Sequence, residues 1–451
     1  MNNFNKIIKN FTFGGIGQNL IYGLMTGAYL FFFTEAAGFS AATIGTVLLV
    51  VRIYGLIADP IAAVLIEKTD TKWGKYKPYI TVMPVVISLL LVALFYHPPI
   101  SQGAYLVYIY ILTILFWTAY AFFDISYWSL VPSITKEEGK RMKLLTVAKM
   151  GILFAAFGLG IVQMPLVNLL GSGNYNTGFL YLSIILAVIF TIAGVTLAKS
   201  LSLITEDVDS KGKAAKEKVT VKQMISALSA NKPLISIIVA KMFIYIPVSL
   251  KGALVIYFYK YQLGNDSLGS FASMLSLPLT LFLVAFAPKL IKKYSDKKIM
   301  TVFIIFQALI SMLYIINTDV SSYYIVIDGV SNALLGVYSL LITNMVASTV
   351  EYGEWKTGHR TESIIFSTNT ISSKLATGLS GAFAGWILTG IGYTPTGTQT
   401  VETLVRLQYV LAIVPAVGLV ISAFLLRSYI VTSDRYKQIC ADLAEGKHEH
   451  D

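Results

Sequence analysis

Eight charged side chains lie inside long apolar stretches of this 451-residue chain, and they are the groups that could do chemistry. A charge at the centre of a bilayer costs about 2.5–3.5 kcal/mol, so such side chains face a polar interior rather than lipid. We therefore expect a charged, water-accessible cavity within a membrane protein. The eight residues are Arg52, Asp59, Asp124, Lys149, Lys241, Lys251, Asp328 and Lys374.

Two spacings in the first half of the chain favour a binding site. Arg52 and Asp59 are seven residues apart, which is two helical turns, so both side chains point the same way. Tyr120, Asp124 and Trp128 follow at i, i+4 and i+8, so a carboxylate lies between two aromatic rings. A carboxylate accepts hydrogen bonds from hydroxyl groups and an aromatic ring packs on the apolar face of a sugar, so this stripe predicts a sugar site. Ordinary packing is the alternative for the two aromatic residues.

Basic residues would complete the cavity. Thr370 and Lys374 share one helical face, so Lys374 would reach the cavity from the second half and could bridge to an acid of the first half. Lys149 supplies a cation from the first half. The alternative is charge balance, in which these lysines keep buried acids ionised and paired, and this does not exclude a role in transport. Arg52 and Lys251 are further candidate cavity charges.

The composition identifies the elements that must position these residues. With 55% hydrophobic and 13% charged residues, the chain lies outside the range of soluble domains. We expect an all-α membrane protein with twelve transmembrane helices, because about twelve stretches are long enough to cross a hydrocarbon core about 30 Å thick. These stretches lie near 13–34, 42–66, 78–97, 103–131, 144–170, 179–200, 233–262, 269–290, 299–316, 323–349, 363–390 and 408–430.

The net charge of +11 is concentrated in alternate loops, while loops such as 97–103 and 171–178 contain no Lys or Arg. The positive-inside rule then places both termini in the cytoplasm. Orientation and contact with anionic lipid headgroups explain the basic excess, and we expect the bilayer rather than a nucleic acid as the partner.

A polar segment at 201–232 separates the chain into two halves with six predicted spans each. We predict an N-terminal bundle at 1–200, a cytoplasmic linker at 201–232, a C-terminal bundle at 233–430 and a solvated cytoplasmic tail at 431–451. This arrangement resembles the major facilitator fold, in which substrate binds between the halves. We expect a multi-pass protein of the plasma (inner) membrane whose first apolar stretch is a permanent span.

The sequence disfavours a membrane-embedded enzyme. Cys440 is the only cysteine, so neither a disulfide nor a cysteine-based metal site is expected. The chain has four histidines but no metal-binding histidine pair, no Gly-x-Ser-x-Gly turn and no phosphate-binding loop. We expect no enzymatic activity, no cofactor and no bound metal.

Four segments resemble the glycoside-pentoside-hexuronide:cation symporter family, to which melibiose permease belongs: 52–60, 72–78, 124–132 and 351–362. The similarity extends over the whole chain. The resemblance implies that Asp59 belongs to a cation site and that a sugar site is lined by Tyr120, Asp124, Trp128, Lys149, Thr370 and Lys374. Lys241 and Asp328 match none of these segments and could pair with each other or with a water channel.

This chain differs from the sodium-using members of that family at three positions that bear on cation binding. Those members have Asp, Asn and Thr at the positions of Gly55, Ala58 and Ala121. A sodium ion needs several oxygen ligands, whereas a proton needs one carboxylate. We therefore expect coupling to H+ through Asp59 rather than to Na+.

Other departures concern the substrate. Asn19, a further expected substrate-binding residue, stands where melibiose permease-like members have Asp, and Lys149 stands where they have Arg. With fewer carboxylates and three lysines, the site could accept a uronide as well as a neutral oligosaccharide or pentoside, and the sequence leaves both open. The leading hypothesis is import of such a sugar or glycoside by cation symport with alternating access. The alternatives are an uncoupled facilitator or exchanger, a lipid carrier on the same fold, and a sugar sensor.

Overall fold

The computed structural model describes residues 3–135, 137–201, 229, 231–316, 318–358 and 361–447. These residues form twelve helices of 17 or more residues, which we number in chain order. They are α1 (Asn3–Gly27), α2 (Ala41–Lys68), α3 (Lys77–Phe95), α4 (Gln102–Ile134), α5 (Glu138–Gly171), α6 (Tyr175–Leu201), α7 (Lys232–Tyr261), α8 (Leu268–Tyr294), α9 (Asp296–Met312), α10 (Ser321–Thr357), α11 (Glu362–Gly390) and α12 (Val401–Leu425).

Shorter helical segments adjoin them. A three-residue turn, Tyr29–Phe31, and a π-helical turn, Phe32–Ala36, follow α1. Single 3-10 turns extend α9 (Leu313–Ile315) and α12 (Leu426–Ser428), and a last helix, α13, runs over Ser433–Ala444.

Ten of the described helices are long and apolar enough to cross a membrane, and α1 and α11 are the two long helices that are not among them. Asn19 lies on α1, and Thr370 and Lys374 lie on α11. The described chain is therefore all-helical and built largely of potential membrane spans.

Several helices begin or end at a residue whose side chain or backbone conformation caps the helix. The side chains of Ser40, Ser101, Asn231 and Thr400 each accept a hydrogen bond from the backbone N–H three residues later, which satisfies an otherwise unpaired donor at the helix start. At the other end of α10, Gly358 adopts a left-handed conformation with φ of 69°, which terminates that helix.

The chain divides into two compact units. Unit 1 comprises Met1–Gly212 with Thr394–Gly397, and unit 2 comprises Lys213–Tyr393 with Thr398–Asp451. Of the predicted linker at 201–232, only residues 201, 229, 231 and 232 lie within the described part of the chain. Helices α1–α6 belong to unit 1 and α7–α13 to unit 2.

Each unit is held together by helix packing around its own core. In unit 1, α1 packs on α5 and α6, α3 on α4 and α6, and α2 on α4. Its core includes the rings of Phe32, Phe95 and Phe179, whose centroids are 4.8–5.8 Å apart. In unit 2, α8 packs on α10, α7 on α11 and α12, and α9 on α12, around a core of aliphatic side chains and Tyr338.

Two glycines, one in each unit, permit close contacts between helices. A Cβ atom at Gly194 on α6 would lie 2.3 Å from Cγ of Pro84 on α3, and one at Gly418 on α12 would lie 2.3 Å from Cγ of Pro247 on α7. A larger residue at either position would separate the two helices, because packing in a membrane depends on such close approach.

The predicted tail contains a helix, α13, which is exposed over most of its length and packs on α10 through a few residues. Ile439 is fully buried, and Tyr436 and Leu443 pack against the core of unit 2. Trp355 donates from Nε1 to Oδ2 of Asp442 at 3.1 Å, and the guanidinium of Arg435 lies 5.1 Å from the Trp355 ring. The apolar residues at i, i+3 and i+7 explain why this short segment folds onto the protein.

Candidate functional site

Asp124 is the centre of the candidate site in unit 1. Its side chain is half-buried on α4, and its Oδ1 atom accepts hydrogen bonds from Gln18 Nε2 at 2.6 Å and from Trp128 Nε1 at 3.1 Å. Gln18 Nε2 also lies 3.1 Å from the hydroxyl of Tyr120. The carboxylate is thus held in place by α1 and by its own helix, as groups that bind polar ligands require.

Aromatic rings surround this carboxylate. Trp128 is 37% exposed, whereas Tyr120 is buried. The Trp117 ring lies 5.4 Å from that of Tyr120 and 5.8 Å from that of Tyr22 on α1. Together these rings offer flat apolar surface beside a charged hydrogen-bond acceptor, which is the combination that binds a sugar ring.

Arg52 and Asp59 project from α2. The Arg52 guanidinium lies over the Trp117 ring, with Cζ 4.3 Å from the centroid, so Arg52 belongs to the aromatic cluster near Asp124. Asp59 is half-buried two turns further along α2. A Cβ atom at Gly55, between them, would meet nothing within 4 Å, while Ala58 and Ala121 are buried.

Asn19 and Lys149 are placed differently from Gln18. Asn19 is half-buried, and its Nδ2 atom donates to the backbone oxygen of Gly15 at 2.9 Å, a bond within α1. Lys149 on α5 is exposed and has no hydrogen-bond or ion-pair partner among the described residues.

In unit 2, Thr370 and Lys374 lie one turn apart on α11. Thr370 is exposed and its hydroxyl donates to the backbone oxygen of Phe366 at 3.1 Å, while Lys374 is half-buried. Residues of α11 next to these two bind a lysine from another helix.

That lysine is Lys241 of α7, which is 3% exposed. Its three ammonium N–H groups are shared among four oxygens: the backbone oxygen and Oδ1 of Asn369, each at 2.7 Å, and the hydroxyls of Ser372 at 3.2 Å and Ser373 at 2.5 Å. We call these four uncharged oxygens the Lys241 cradle. The cradle ties α7 to the part of α11 that carries Thr370 and Lys374.

The suggested pairing of Lys241 with Asp328 is wrong, because Asp328 pairs with Lys251. Lys251 Nζ lies 2.7 Å from Asp328 Oδ1, and the two residues are 5% and 4% exposed. The other carboxylate oxygen accepts hydrogen bonds from the hydroxyls of Tyr259 and, at 2.6 Å, Tyr314. The structure therefore places Lys251, a candidate cavity charge, within the packed interior of unit 2.

The sequence-based reasoning missed Gln18, Tyr22 and Trp117. A signal for them was available, since Gln18 and Tyr22 are four residues apart on α1, and Trp117 precedes Tyr120 and Asp124 at intervals of three and seven residues. The sequence comparison pointed to Asn19 rather than to Gln18, because melibiose permease-like members have Asp at the position of Asn19.

The described arrangement suits the binding of a polar ligand. Asp124, Trp128 and Arg52 provide an acceptor, a stacking surface and a cation within one unit. Among the residues that the structure describes, no group of three or more His, Cys, Asp or Glu side chains could hold a metal ion.

Comparison with known proteins agrees with this description. The family model for MFS/sugar transport proteins matches residues 10–433. Relatives include a Bacillus subtilis (strain 168) protein named uncharacterized symporter YjmB, 30% identical over 96% of this chain and 94% of the relative. Another is the isoprimeverose transporter of Lactiplantibacillus pentosus, 29% identical over 95% of this chain and 89% of the relative.

The solved structure of the nucleoside transporter NupG has a TM-score of 0.66 at 14% identity, and the match covers 96% of this chain and all of NupG. At that identity the likeness shows the fold alone. The resemblance to the glycoside-pentoside-hexuronide symporters is confirmed by the family match and by the sugar transporters among the relatives. The chain belongs to the MFS/sugar transport protein family of the major facilitator superfamily, whose members are transporters and not enzymes.

Proposed function

We propose that this protein imports a sugar or glycoside across the plasma membrane by symport with a proton, using alternating access. In this proposal all twelve long helices cross the membrane and both termini are cytoplasmic. The substrate is an oligosaccharide, a pentoside or a uronide, and the proton binds to Asp59.

One observation gives the main support for a sugar as the substrate. The Asp124 carboxylate accepts hydrogen bonds from Gln18 and Trp128 while the Trp128 side chain remains 37% exposed. A sugar placed against Trp128 can donate its hydroxyl groups to that carboxylate, and hydrogen bonds to a charged group contribute about 1.5–3 kcal/mol each. The similarity to the isoprimeverose transporter supports a sugar as the substrate.

The surroundings of Asp59 favour a proton as the coupling ion. A sodium ion would need several oxygen ligands around this carboxylate. Gly55 contributes no side chain and leaves open space, and Ala58 and Ala121 contribute only methyl groups. A single carboxylate is sufficient to carry a proton.

Coupling then follows from differences in the stability of loaded states. A ligand shifts a conformational equilibrium only by the difference in its affinity for the two conformations. Protonation removes the charge of Asp59, and sugar binding compensates the charge of Asp124 with hydrogen bonds. Inward and outward conformations interconvert readily when both ligands are bound and when neither is bound. Transport of the sugar therefore requires transport of the proton, and the reverse.

Proteoliposomes containing the purified protein test this function. An inward proton gradient should drive accumulation of labelled isoprimeverose, or of another glycoside from a panel that includes lactose, raffinose and a uronide. Asp59→Asn should lose accumulation yet keep sugar exchange, whereas Asp124→Asn should lose both. Glu402→Gln is the matched control, because Glu402 is exposed and pairs at 2.5 Å with Arg406 on its own helix.

Different failures have different meanings. Uptake that requires a sodium gradient and leaves the external pH unchanged would overturn proton coupling. Uptake that equilibrates but never accumulates under either gradient would support the uncoupled facilitator or exchanger. Binding of glycosides without any uptake into sealed vesicles would overturn the transport proposal itself.

A further inference from the structure

A groove runs along the surface of unit 2 between α9 and α12, with a volume of about 550 Å³. Its walls are apolar and come from both helices. They are formed by Val302, Ile305, Val420, Ala423 and Phe424. All except Ala423 are exposed, and since α9 and α12 are both apolar enough to cross a membrane, these side chains meet lipid.

One end of the groove is basic. Lys297 and Lys298 lie in the first turn of α9, and Arg427 lies in the 3-10 turn that follows α12. Lys297 Nζ donates to the backbone oxygens of Arg427 at 3.0 Å and Tyr429 at 2.8 Å, so it joins the two helix ends and fixes the shape of this rim.

The other two cations of the rim are available to a ligand. Lys298 Nζ lies 5.5 Å from the centroid of the Tyr294 ring, and Arg427 Cζ lies 5.4 Å from that of Phe424. Neither has an acidic partner in the part of the chain that the structure describes. The neighbouring acid Asp296 is turned to α10, where its Oδ2 accepts from Asn344 Nδ2 at 2.6 Å.

The depth of the groove matches one leaflet. Eight residues of α9 separate Lys297 from Ile305, which is about 12 Å along a helix at about 1.5 Å per residue. Half of a hydrocarbon core is about 15 Å thick. The rim therefore lies at the level of the headgroups when the walls lie at the level of the acyl chains. The lysines at the end of α8 and the start of α9 assign this end to the cytoplasmic leaflet, where anionic lipids are concentrated.

Unit 1 repeats this combination at the corresponding helices. A groove of about 420 Å³ involving α3 and α6, the third and sixth long helices of unit 1, is lined by Trp73, Lys77, Val195, Ala198 and Lys199. Helices α9 and α12 are likewise the third and sixth long helices of unit 2. Two basic-rimmed grooves at equivalent places favour a common ligand over accidental surface shape.

We propose that the α9–α12 groove binds one anionic phospholipid, with its phosphate between Lys298 and Arg427 and an acyl chain along Val302, Ile305, Val420 and Phe424. The cations supply charge-assisted hydrogen bonds to phosphate, and the walls supply apolar contact. A zwitterionic lipid fits the walls equally well, but its headgroup gains less from the rim because it carries no net charge.

Binding of phosphatidylglycerol and phosphatidylcholine to the purified full-length protein in detergent tests this site, with native mass spectrometry as the readout. The wild-type protein should retain phosphatidylglycerol in preference to phosphatidylcholine. Lys298→Gln combined with Arg427→Gln should weaken phosphatidylglycerol binding about thirtyfold and leave phosphatidylcholine unchanged. The matched control is Lys289→Gln with Lys437→Gln, an equal loss of charge at exposed residues of α8 and α13 outside the groove lining.

A third variant tests the walls without altering charge. Ile305→Trp fills the groove from an exposed position, so it should reduce retention of phosphatidylglycerol while the protein stays folded. Equal losses in the two double variants, or unchanged retention in Ile305→Trp, would overturn the proposal. Equal binding of the two lipids by the wild-type protein would also overturn it.

Discussion

The two units treat charge within their helices in different ways. In unit 1, Arg52, Asp59 and Asp124 are all partly accessible, and Asp124 is held by side chains that leave Trp128 exposed. In unit 2, Lys374 is also half-buried, but Lys241, Lys251 and Asp328 are at most 5% exposed and are bound by neighbouring helices. Charges of the first kind are available to a ligand, and charges of the second kind hold helices together. The number of charges in apolar segments does not distinguish these roles, but their partners do.

Breaking the buried pair should have the largest effect on stability. Lys251→Met leaves the Asp328 carboxylate buried without its cation, which should destabilise the protein by about 3–5 kcal/mol. Thermal unfolding in detergent, followed by intrinsic fluorescence, measures this loss. Lys251→Met combined with Asp328→Asn should recover most of it, because no lone charge remains. An unchanged unfolding temperature in the single variant would contradict the assigned role of the pair.

Removing the lysine of the Lys241 cradle should affect both stability and transport. Lys241→Met leaves the Oδ1 atom of Asn369 and two serine hydroxyls without their ammonium donor, at a cost of about 2 kcal/mol. Apparent substrate affinity should also fall, because the freed segment of α11 carries Thr370 and Lys374. Unfolding temperature and the KM of uptake are the two measurements. Lys232→Met, at an exposed position on the same helix, is the control. A lower unfolding temperature with unchanged KM would restrict Lys241 to structure.

A smaller effect distinguishes two neighbours in unit 1. Gln18→Ala removes a hydrogen bond to the Asp124 carboxylate and should weaken sugar affinity about tenfold, which corresponds to about 1.4 kcal/mol. Asn19→Ala removes only a bond within α1 and should change affinity much less. Equilibrium binding of the transported sugar measures both variants. The reverse order would restore Asn19, rather than Gln18, as the substrate-binding residue.

Features that depend on one helix were accessible from the sequence. The predicted stretch at 103–131 became α4 over Gln102–Ile134, and the one at 179–200 became α6 over Tyr175–Leu201. The contact between Trp128 and Asp124 follows from their spacing of four residues, since such side chains lie on one face. α10 extends well past the predicted end at 349 because a helix can continue beyond the hydrocarbon core, where polar residues such as Glu351 are tolerated.

Features that depend on two helices were not accessible. Whether Asp328 would pair with Lys241 or with Lys251 depends on how α7 and α10 are rotated against each other, and both lysines lie on α7. The bond from Gln18 to Asp124 depends in the same way on α1 and α4. The fold of α13 was missed for another reason: its apolar residues have helical spacing, but a short polar segment at the end of the chain was interpreted from its composition alone.

The Lys241 cradle has a consequence for the salts in which the protein works. Four uncharged oxygens around a monovalent cation resemble the coordination of potassium in a channel filter. Here the cation is covalently attached to α7, so it can neither dissociate nor be exchanged for an ion from solution. The joint between α7 and α11 should therefore keep its geometry in sodium, in potassium or in buffers with neither, and Thr370 and Lys374 should keep their positions with it.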